Sequence, residues 1–231
     1  MKAILLIIIF FVPLHARPQS PVGLWEAISV TVGDKVMTPV GKWTRINPDG
    51  TYQSGNGWQQ NSEGTWSFDP ATAFYVPFEA NGLEDIFGGF KISFDKDNMI
   101  WQRHEDGLPV VVTWRSIKEL PRTPADLIVG VWELDPAATR EPSTSHAASK
   151  HLLFIRWDRI YVEWDNTPEK RYGYWFINAH HPELTLINMD GTASPGKWRI
   201  SVDTGTLTLT GISEGNNDSV LSFRRIHRLP D

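Results

Sequence analysis

The metal-ligating side chains of this sequence are most concentrated in one short segment. His180 and His181 are adjacent in NAHHPEL, and Glu183 follows them. Adjacent side chains on a strand point to opposite faces, so the two imidazoles could share an ion only if the segment forms a turn. Pro182 favours a turn, but the spacings of the common zinc motifs are missing. We therefore predict surface histidines here, with no metal site and no cofactor.

Acidic side chains border a glycine-rich segment, EANGLEDIFGG, at residues 79–89. Paired carboxylates such as Glu79, Glu84 and Asp85 are the groups that glycoside cleavage uses, but nothing in their spacing brings them together. The sequence also lacks the signatures of a serine nucleophile, a phosphate-binding loop and a dinucleotide-binding fold. Because the chain contains no cysteine, thiol catalysis, zinc-thiolate sites and disulfides are excluded. We therefore predict that the protein is not an enzyme.

Aromatic side chains are the most abundant candidates for a binding site. The chain has 11 Trp, 11 Phe and 5 Tyr, many of them in short segments that alternate apolar and polar residues, as strands with one buried face do. Two interpretations stay open: the rings fill a solid core, or they line an apolar pocket for one small organic molecule. The candidate pocket residues are Tyr75, Phe90, Phe94, Trp101 and Trp114 in the first half and Phe154, Tyr161, Trp175 and Trp198 in the second half.

These aromatic segments belong to an internal repeat, the feature that decides the architecture. VGLWE at 22–26 recurs as VGVWE at 129–133, and three further segments recur later in the same order. They are GTWSFD (64–69), FKISFD (90–95) and RSIKELP (115–121), matched by GYWFIN (173–178), WRISVD (198–203) and RRIHRLP (224–230). In the joining segment KELPRTPADLIV, Pro121 and Pro124 interrupt strand pairing, and a helical turn is expected from Pro124 to Leu127. The predicted domains are residues 17–121 and 122–231.

Each copy contains about eight short strands separated by turn residues such as Asp49-Gly50 and Asp190-Gly191. The connections are too short for crossover helices, so neighbouring strands must run antiparallel as a meander. Closure into a barrel removes the exposed edge strands, and eight strands leave room for one small ligand. We therefore predict an all-β protein of two tandem antiparallel β-barrels, with a pair of β-sandwiches as the alternative.

The phrase that opens each copy resembles the first strand of the lipocalin, or calycin, superfamily, and especially the small lipocalin-like domains of secreted bacterial proteins. In that family the Trp of a Gly-x-Trp motif closes one end of the barrel, and an Arg near the last strand lies across its ring. The resemblance implies that each barrel is closed by a stacked Trp–Arg pair. The matching residues are Gly23, Trp25 and Arg115 in the first copy and Gly130, Trp132 and Arg224 in the second.

The N-terminal residues 1–16, MKAILLIIIFFVPLHA, are typical of a signal peptide cleaved after Ala16. The apolar run is too short for a membrane-spanning helix. We therefore expect a secreted or periplasmic protein without a membrane span. The net charge of −5 at pH 7 argues against nucleic acid as a partner.

The predicted function is that of an exported soluble protein that binds a small apolar or amphipathic molecule in one or both barrels. The insertions at 79–89 and 136–151 differ between the copies and are predicted to carry specificity at the barrel rims. One alternative is an interaction module that displays Trp58 and Trp164 to a polysaccharide or a protein. Another is a hydrolase or isomerase with a polar cluster inside a cavity. The sequence identifies neither the ligand nor the oligomeric state.

Overall fold

The computed structural model describes residues 20–140, 151–165, 169–191 and 196–228. The predicted signal peptide over residues 1–16 lies outside these ranges, as does most of the 136–151 insertion. The described residues form two antiparallel β-barrels, one after the other along the chain, joined by one short helix. The predicted all-β fold with tandem barrels is therefore confirmed. Among these residues, no helix has the length and apolar character that crossing a bilayer requires.

The first barrel is a meander that closes on itself by pairing its first and last strands. Its strands are β1 (Gly23–Val32), β2 (Lys35–Val36), β3 (Lys42–Ile46), β4 (Thr51–Asn56), β5 (Gln59–Asp69), β6 (Phe74–Glu79), β7 (Phe90–Asp95), β8 (Asn98–Glu105) and β9 (Leu108–Ser116). Strands β1 and β3–β9 form the barrel wall, and β1 pairs with β9. The two-residue strand β2 pairs only with the end of β1. It was not predicted, since two residues carry no periodic signal.

The second barrel repeats this path with eight strands. They are β10 (Gly130–Leu134), β11 (His151–Ile155), β12 (Ile160–Asp165), β13 (Arg171–Ile177), β14 (Glu183–Asn188), β15 (Gly196–Val202), β16 (Thr206–Gly211) and β17 (Val220–Ile226). Strand β10 pairs with both β11 and β17, which closes the barrel. The helix α1 (Pro124–Ile128) precedes β10, where the sequence predicts a helical turn. Thr123 precedes it, and Asp126 accepts hydrogen bonds from the Thr123 amide and hydroxyl at 2.6 and 2.8 Å.

A tryptophan closes one end of each barrel in the same way. The Trp25 indole Nε1 donates to the Pro21 carbonyl at 2.8 Å, and the Trp132 indole Nε1 donates to the Ile128 carbonyl at 2.7 Å. Both rings are buried in the core of their own barrel. In both copies the acceptor lies four residues earlier, so the segment that leads into each barrel is bonded to the tryptophan that closes it, which we call the plug tryptophan.

The predicted arginine partners of these tryptophans are wrong in both copies. Opposite residues of an antiparallel pair share a face, and Arg224 lies opposite Glu133, to which it pairs at 2.5 Å from an exposed position. The guanidinium over the Trp132 ring belongs to Arg225, at 4.1 Å.

In the first barrel Arg115 likewise lies opposite Glu26, with a contact of 2.7 Å. Ser116 takes the position opposite Trp25. The stacked pair therefore forms in the second copy alone among the described residues.

Candidate functional site

The interior of the first barrel is a contiguous cluster of aromatic rings. The Trp101 ring centroid lies 4.8 Å from Tyr75, 5.0 Å from Phe90 and 4.9 Å from Trp114. Phe94 packs against Trp25 with a centroid distance of 6.5 Å. All five first-half residues that the sequence proposes for a pocket therefore face the barrel core.

The second-half candidates divide between the two faces of the wall. Tyr161 and Trp175 are buried in the core, and Trp198 packs against it. Phe154 was placed wrongly. Its neighbour Leu153 lies opposite Trp132 and points inward, so Phe154 points to the outer face. The error arose because LLFI is apolar at every position, which removes the alternation that distinguishes the two faces.

Three polar groups inside the first barrel have no hydrogen-bond partner. They are the Tyr75 hydroxyl and the indole Nε1 groups of Trp101 and Trp114. The side chains belong to residues that are only 0%, 7% and 4% exposed, so water outside the barrel does not reach them. Burial raises the pKa of Tyr75 well above its usual range, and the neighbouring Tyr52 phenol adds to this effect. The Tyr75 hydroxyl therefore keeps its proton and remains a donor.

Three other indoles of the same barrel are hydrogen-bonded. Besides Trp25, Trp43 donates to the Gly57 carbonyl at 2.7 Å, and Trp66 donates to the Asn47 carbonyl at 3.0 Å. Buried polar groups in folded proteins are almost always hydrogen-bonded. Against that background, three unpaired donors in one ring cluster are unusual and require an explanation.

The corresponding positions of the second barrel carry no donors. Tyr75 lies opposite Phe68, and the repeat-matched pair in the second barrel is Leu184 opposite Ile177. By the same strand matching, Leu209 takes the place of Trp101, and Phe223 takes the place of Trp114. These second-barrel side chains are 0–2% exposed. The three donors are therefore specific to the first copy.

A polar network lines the wall beside these rings. Lys42 Nζ donates to Ser54 Oγ at 2.6 Å, and Ser62 Oγ donates to the Glu79 carboxylate at 2.8 Å. The Tyr52 hydroxyl lies 3.3 Å from Ser62 Oγ. Burial lowers the pKa of Lys42 while the Glu79 charge opposes the shift, and burial raises the pKa of Tyr52 to about 12. The network thus balances one ammonium against one carboxylate.

The barrel wall has the fewest paired residues between β6 and β7. These strands pair only at Phe74–Lys91 and Tyr75–Phe90, and the segment at 80–89 continues beyond them. Arg103 holds this segment, because its guanidinium contacts Asp85 at 2.5 Å and donates to the Gly88 carbonyl at 2.8 Å. The same guanidinium lies 4.1 Å from the Phe90 ring centroid. Phe90, which packs against Trp101, therefore lies at the part of the wall with the fewest paired residues.

The carboxylates and histidines considered in the sequence analysis do not form one catalytic or metal-binding cluster. Glu79 binds Ser62 inside the barrel and Asp85 binds Arg103, while Glu84 is exposed. His180 and His181 are exposed in a turn. Among the described residues, no group of three His, Asp or Glu side chains could hold a metal ion.

Sequence reasoning missed a charged cluster inside the second barrel. His151 Nε2 lies 2.7 Å from one oxygen of Glu163, and Arg171 Nε lies 3.2 Å from the other. Burial alone would raise the pKa of Glu163, but the hydrogen bond and charge of His151, together with Arg171, outweigh it and lower the pKa to about 2. The signal was the spacing: Glu163 follows the inward Tyr161 by two residues and so shares its face.

The comparisons with known proteins add little to this geometry. No protein-family model matches the sequence, and no curated protein matches it significantly. A solved structure of a protein of unknown function from the DUF3598 family of Nostoc punctiforme aligns over 89% of this chain and 96% of its own, at 8% identity and a TM-score of 0.27. A likeness of this degree does not indicate a function for the chain.

Proposed function

We propose that this is an exported binding protein that holds a small, planar, amphipathic molecule in its first barrel. The observation that supports this proposal is the set of three unpaired donors on Tyr75, Trp101 and Trp114, inside a cluster of aromatic rings. Closed eight-stranded barrels, which this chain has twice, are an architecture that other proteins use to enclose one small ligand. The proposed activity is binding rather than catalysis.

The chemistry of the site favours a ligand with at least one acceptor oxygen. A buried donor without a partner costs about 1–3 kcal/mol, so an acceptor that reached these groups would recover that loss. The rings favour a flat apolar body that stacks against them. Because the Lys42 and Glu79 charges offset each other, a neutral acceptor such as a carbonyl fits better than a strongly charged group.

The second barrel is proposed as a structural partner without this activity. Two of its inward donors are bonded within the wall: Trp175 Nε1 donates to the Arg156 carbonyl at 2.7 Å, and the Tyr161 hydroxyl donates to Asn188. Lipocalin-like ancestry and a cleaved signal peptide remain part of the proposal. The plug tryptophans and Arg225 over the Trp132 ring support the first of these.

A pair of probes that differ in one acceptor tests the proposal. Methyl β-naphthyl ketone and β-ethylnaphthalene have nearly the same shape, but only the ketone accepts a hydrogen bond. We expect the wild-type protein to bind the ketone about tenfold more tightly, which corresponds to one recovered hydrogen bond. Titration followed by tryptophan fluorescence and calorimetry measures both affinities.

Two tyrosine variants locate the effect. Tyr75→Phe should reduce the preference for the ketone, since it removes a donor of the proposed site. Tyr161→Phe, the matched change in the second barrel, should leave the preference unchanged because its hydroxyl is already bonded to Asn188. Equal affinity of the wild-type protein for the two probes, or binding of neither, would rule the proposal out.

A further inference from the structure

A second candidate site lies in the cleft between the two barrels, separate from the ring cluster. The turn that joins β4 to β5 forms one wall of the cleft, and the β11–β12 and β13–β14 connections of the second barrel form the other. Helix α1 and the residue before it lie between them. The cleft encloses about 450 Å³, which is within the usual size of small-molecule sites.

The two walls are held in place by one hydrogen bond between the barrels and one from the first barrel to helix α1. Val40 N donates to the Ala179 carbonyl at 2.8 Å across the cleft. Asp126 accepts from the Trp58 amide at 3.4 Å. Gly57 sits against this carboxylate so closely that a Cβ would come within 2.3 Å of its oxygen. The cleft is therefore formed by ordered backbone, as a binding site requires.

Two exposed tryptophans line this one cleft. Trp58 is 71% exposed on the first-barrel wall, and Trp157 is 76% exposed on the second-barrel wall. The other nine tryptophans of the chain are buried or half-buried. Large exposed aromatic side chains on an ordered surface are typical of binding sites. Their meeting here, one from each copy of the repeat, is the observation that carries the inference.

The polar lining contains one carboxylate, one guanidinium and the exposed His181 imidazole. The Asp126 carboxylate accepts hydrogen bonds from Thr123 and the Trp58 amide. The Arg159 guanidinium lies 4.4 Å from the Trp175 ring centroid and keeps its positive charge. Amide side chains of Asn56, Gln59 and Asn178 complete the lining, and each amide group can both donate and accept hydrogen bonds.

We propose that this cleft binds a neutral saccharide. A pyranose ring has an apolar C–H face that stacks on an indole, and its edge carries hydroxyl groups that pair with amides. Exposed indoles combined with amides match that chemistry. Because the lining carries one carboxylate and one guanidinium, their charges offset each other, and no excess of either sign favours a charged ligand.

Titration with neutral oligosaccharides tests this proposal. The probes are cellohexaose, chitohexaose, xylohexaose and maltohexaose, which differ in sugar and linkage. We expect at least one to quench tryptophan fluorescence and to give a calorimetric isotherm. Trp58→Ala and Trp157→Ala should each weaken its binding about tenfold or more. Tyr172→Ala changes an aromatic residue that is 46% exposed outside the cleft and should leave the affinity unchanged.

Three results would overturn the assignment. The first is that none of the four oligosaccharides binds, and the second is that binding survives both tryptophan changes. The third is a concentration-dependent dimer in sedimentation that Trp58→Ala abolishes, which would assign the tryptophans to self-association. Tyr75→Phe serves as a check on independence: it should change the ketone preference of the first barrel without changing saccharide affinity.

Discussion

The replacement Tyr75→Phe should stabilise the protein in the absence of a ligand, which is unusual for a change in a buried core. Tyr75 is 0% exposed and its hydroxyl has no partner. In the unfolded chain the same hydroxyl is bonded to water. Folding therefore loses one hydrogen bond at this position, at a cost of about 1–3 kcal/mol. Phenylalanine keeps the ring that packs against Trp101 and has no hydroxyl group that would lose a hydrogen bond on folding.

The expected gain in the free energy of unfolding is about 1–2 kcal/mol, since the removed oxygen leaves a small gap that offsets part of the benefit. For a domain of roughly 60–100 residues, each kcal/mol of that gain raises the melting temperature by about 4–8 °C. Urea unfolding, with the slope against urea concentration held equal between the two proteins, measures the difference directly. Tyr161→Phe is the matched control, because it breaks the hydrogen bond to Asn188 and should destabilise by about 1–2 kcal/mol.

The two variants should therefore change stability in opposite directions. If Tyr75→Phe destabilises the protein as much as Tyr161→Phe does, the Tyr75 hydroxyl has a partner in solution. This hydroxyl would then not be reserved for a ligand. A ligand that accepts from Tyr75 should reverse the sign, so that wild type becomes the more stable protein at saturating ligand.

Three further results are expected. Arg225→Ala should lower the free energy of unfolding by about 2–4 kcal/mol, because Arg225 covers Trp132 and donates to three main-chain carbonyls. Arg224→Ala should cost under about 1 kcal/mol, as its pair with Glu133 is exposed; equal losses in urea unfolding would contradict the register. The pKa of Glu163 falls from 4.5 to about 2 on folding. Above pH 4.5, ionised Glu163 should therefore add about 3 kcal/mol to the free energy of unfolding, and this contribution is lost as the pH falls toward 2. Glu163→Gln should flatten that part of the stability–pH curve, and an unchanged curve would show that other carboxylates cause it. Arg103→Met should speed ligand exchange and amide hydrogen exchange over residues 80–89 by about tenfold, the equivalent of one charged hydrogen bond; unchanged rates would mean that Arg103 does not hold the segment.

The strand order and the barrels could be predicted because several independent signals agree. Alternating apolar residues, turn dipeptides and the internal repeat all indicate the same strand positions. The helical turn at Pro124 follows from proline chemistry alone. What the sequence could not supply was strand register. Arg224 and Arg225 are adjacent, and only the pairing of Trp132 with Arg225 decides which one covers the ring.

The polar side chains of the two interiors were missed for a related reason. A polar residue in an alternating strand is expected to face water, so Lys42, Ser62 and Glu163 were not predicted to point inward. The alternative of an interaction module required Trp164 to be exposed beside Trp58, but Trp164 is half-buried, with the Lys170 ammonium 5.4 Å from its ring centroid. Trp157 falls in the turn after β11, and its exposure depends on the arrangement of the two barrels. Such features depend on three-dimensional packing, which a linear pattern does not contain.

The duplication gives the strongest reason to assign binding to the first barrel. Indoles at matched positions are bonded alike in both copies. Trp66 and Trp175 each donate to a main-chain carbonyl nineteen residues earlier. Trp25 and Trp132 each donate to a main-chain carbonyl four residues earlier. These shared bonds belong to the common framework. Tyr75, Trp101 and Trp114 break that pattern, because the second copy forms an equivalent barrel with leucine and phenylalanine in their places.

The fold therefore forms a core without indole or phenol donors at these three positions. Because the second barrel closes and packs without them, the unpaired donors of the first barrel are not required for folding, and each one reduces its stability. Natural proteins depart from local physical rules mainly at functional sites. The three donors are therefore best explained by a ligand that pairs with them.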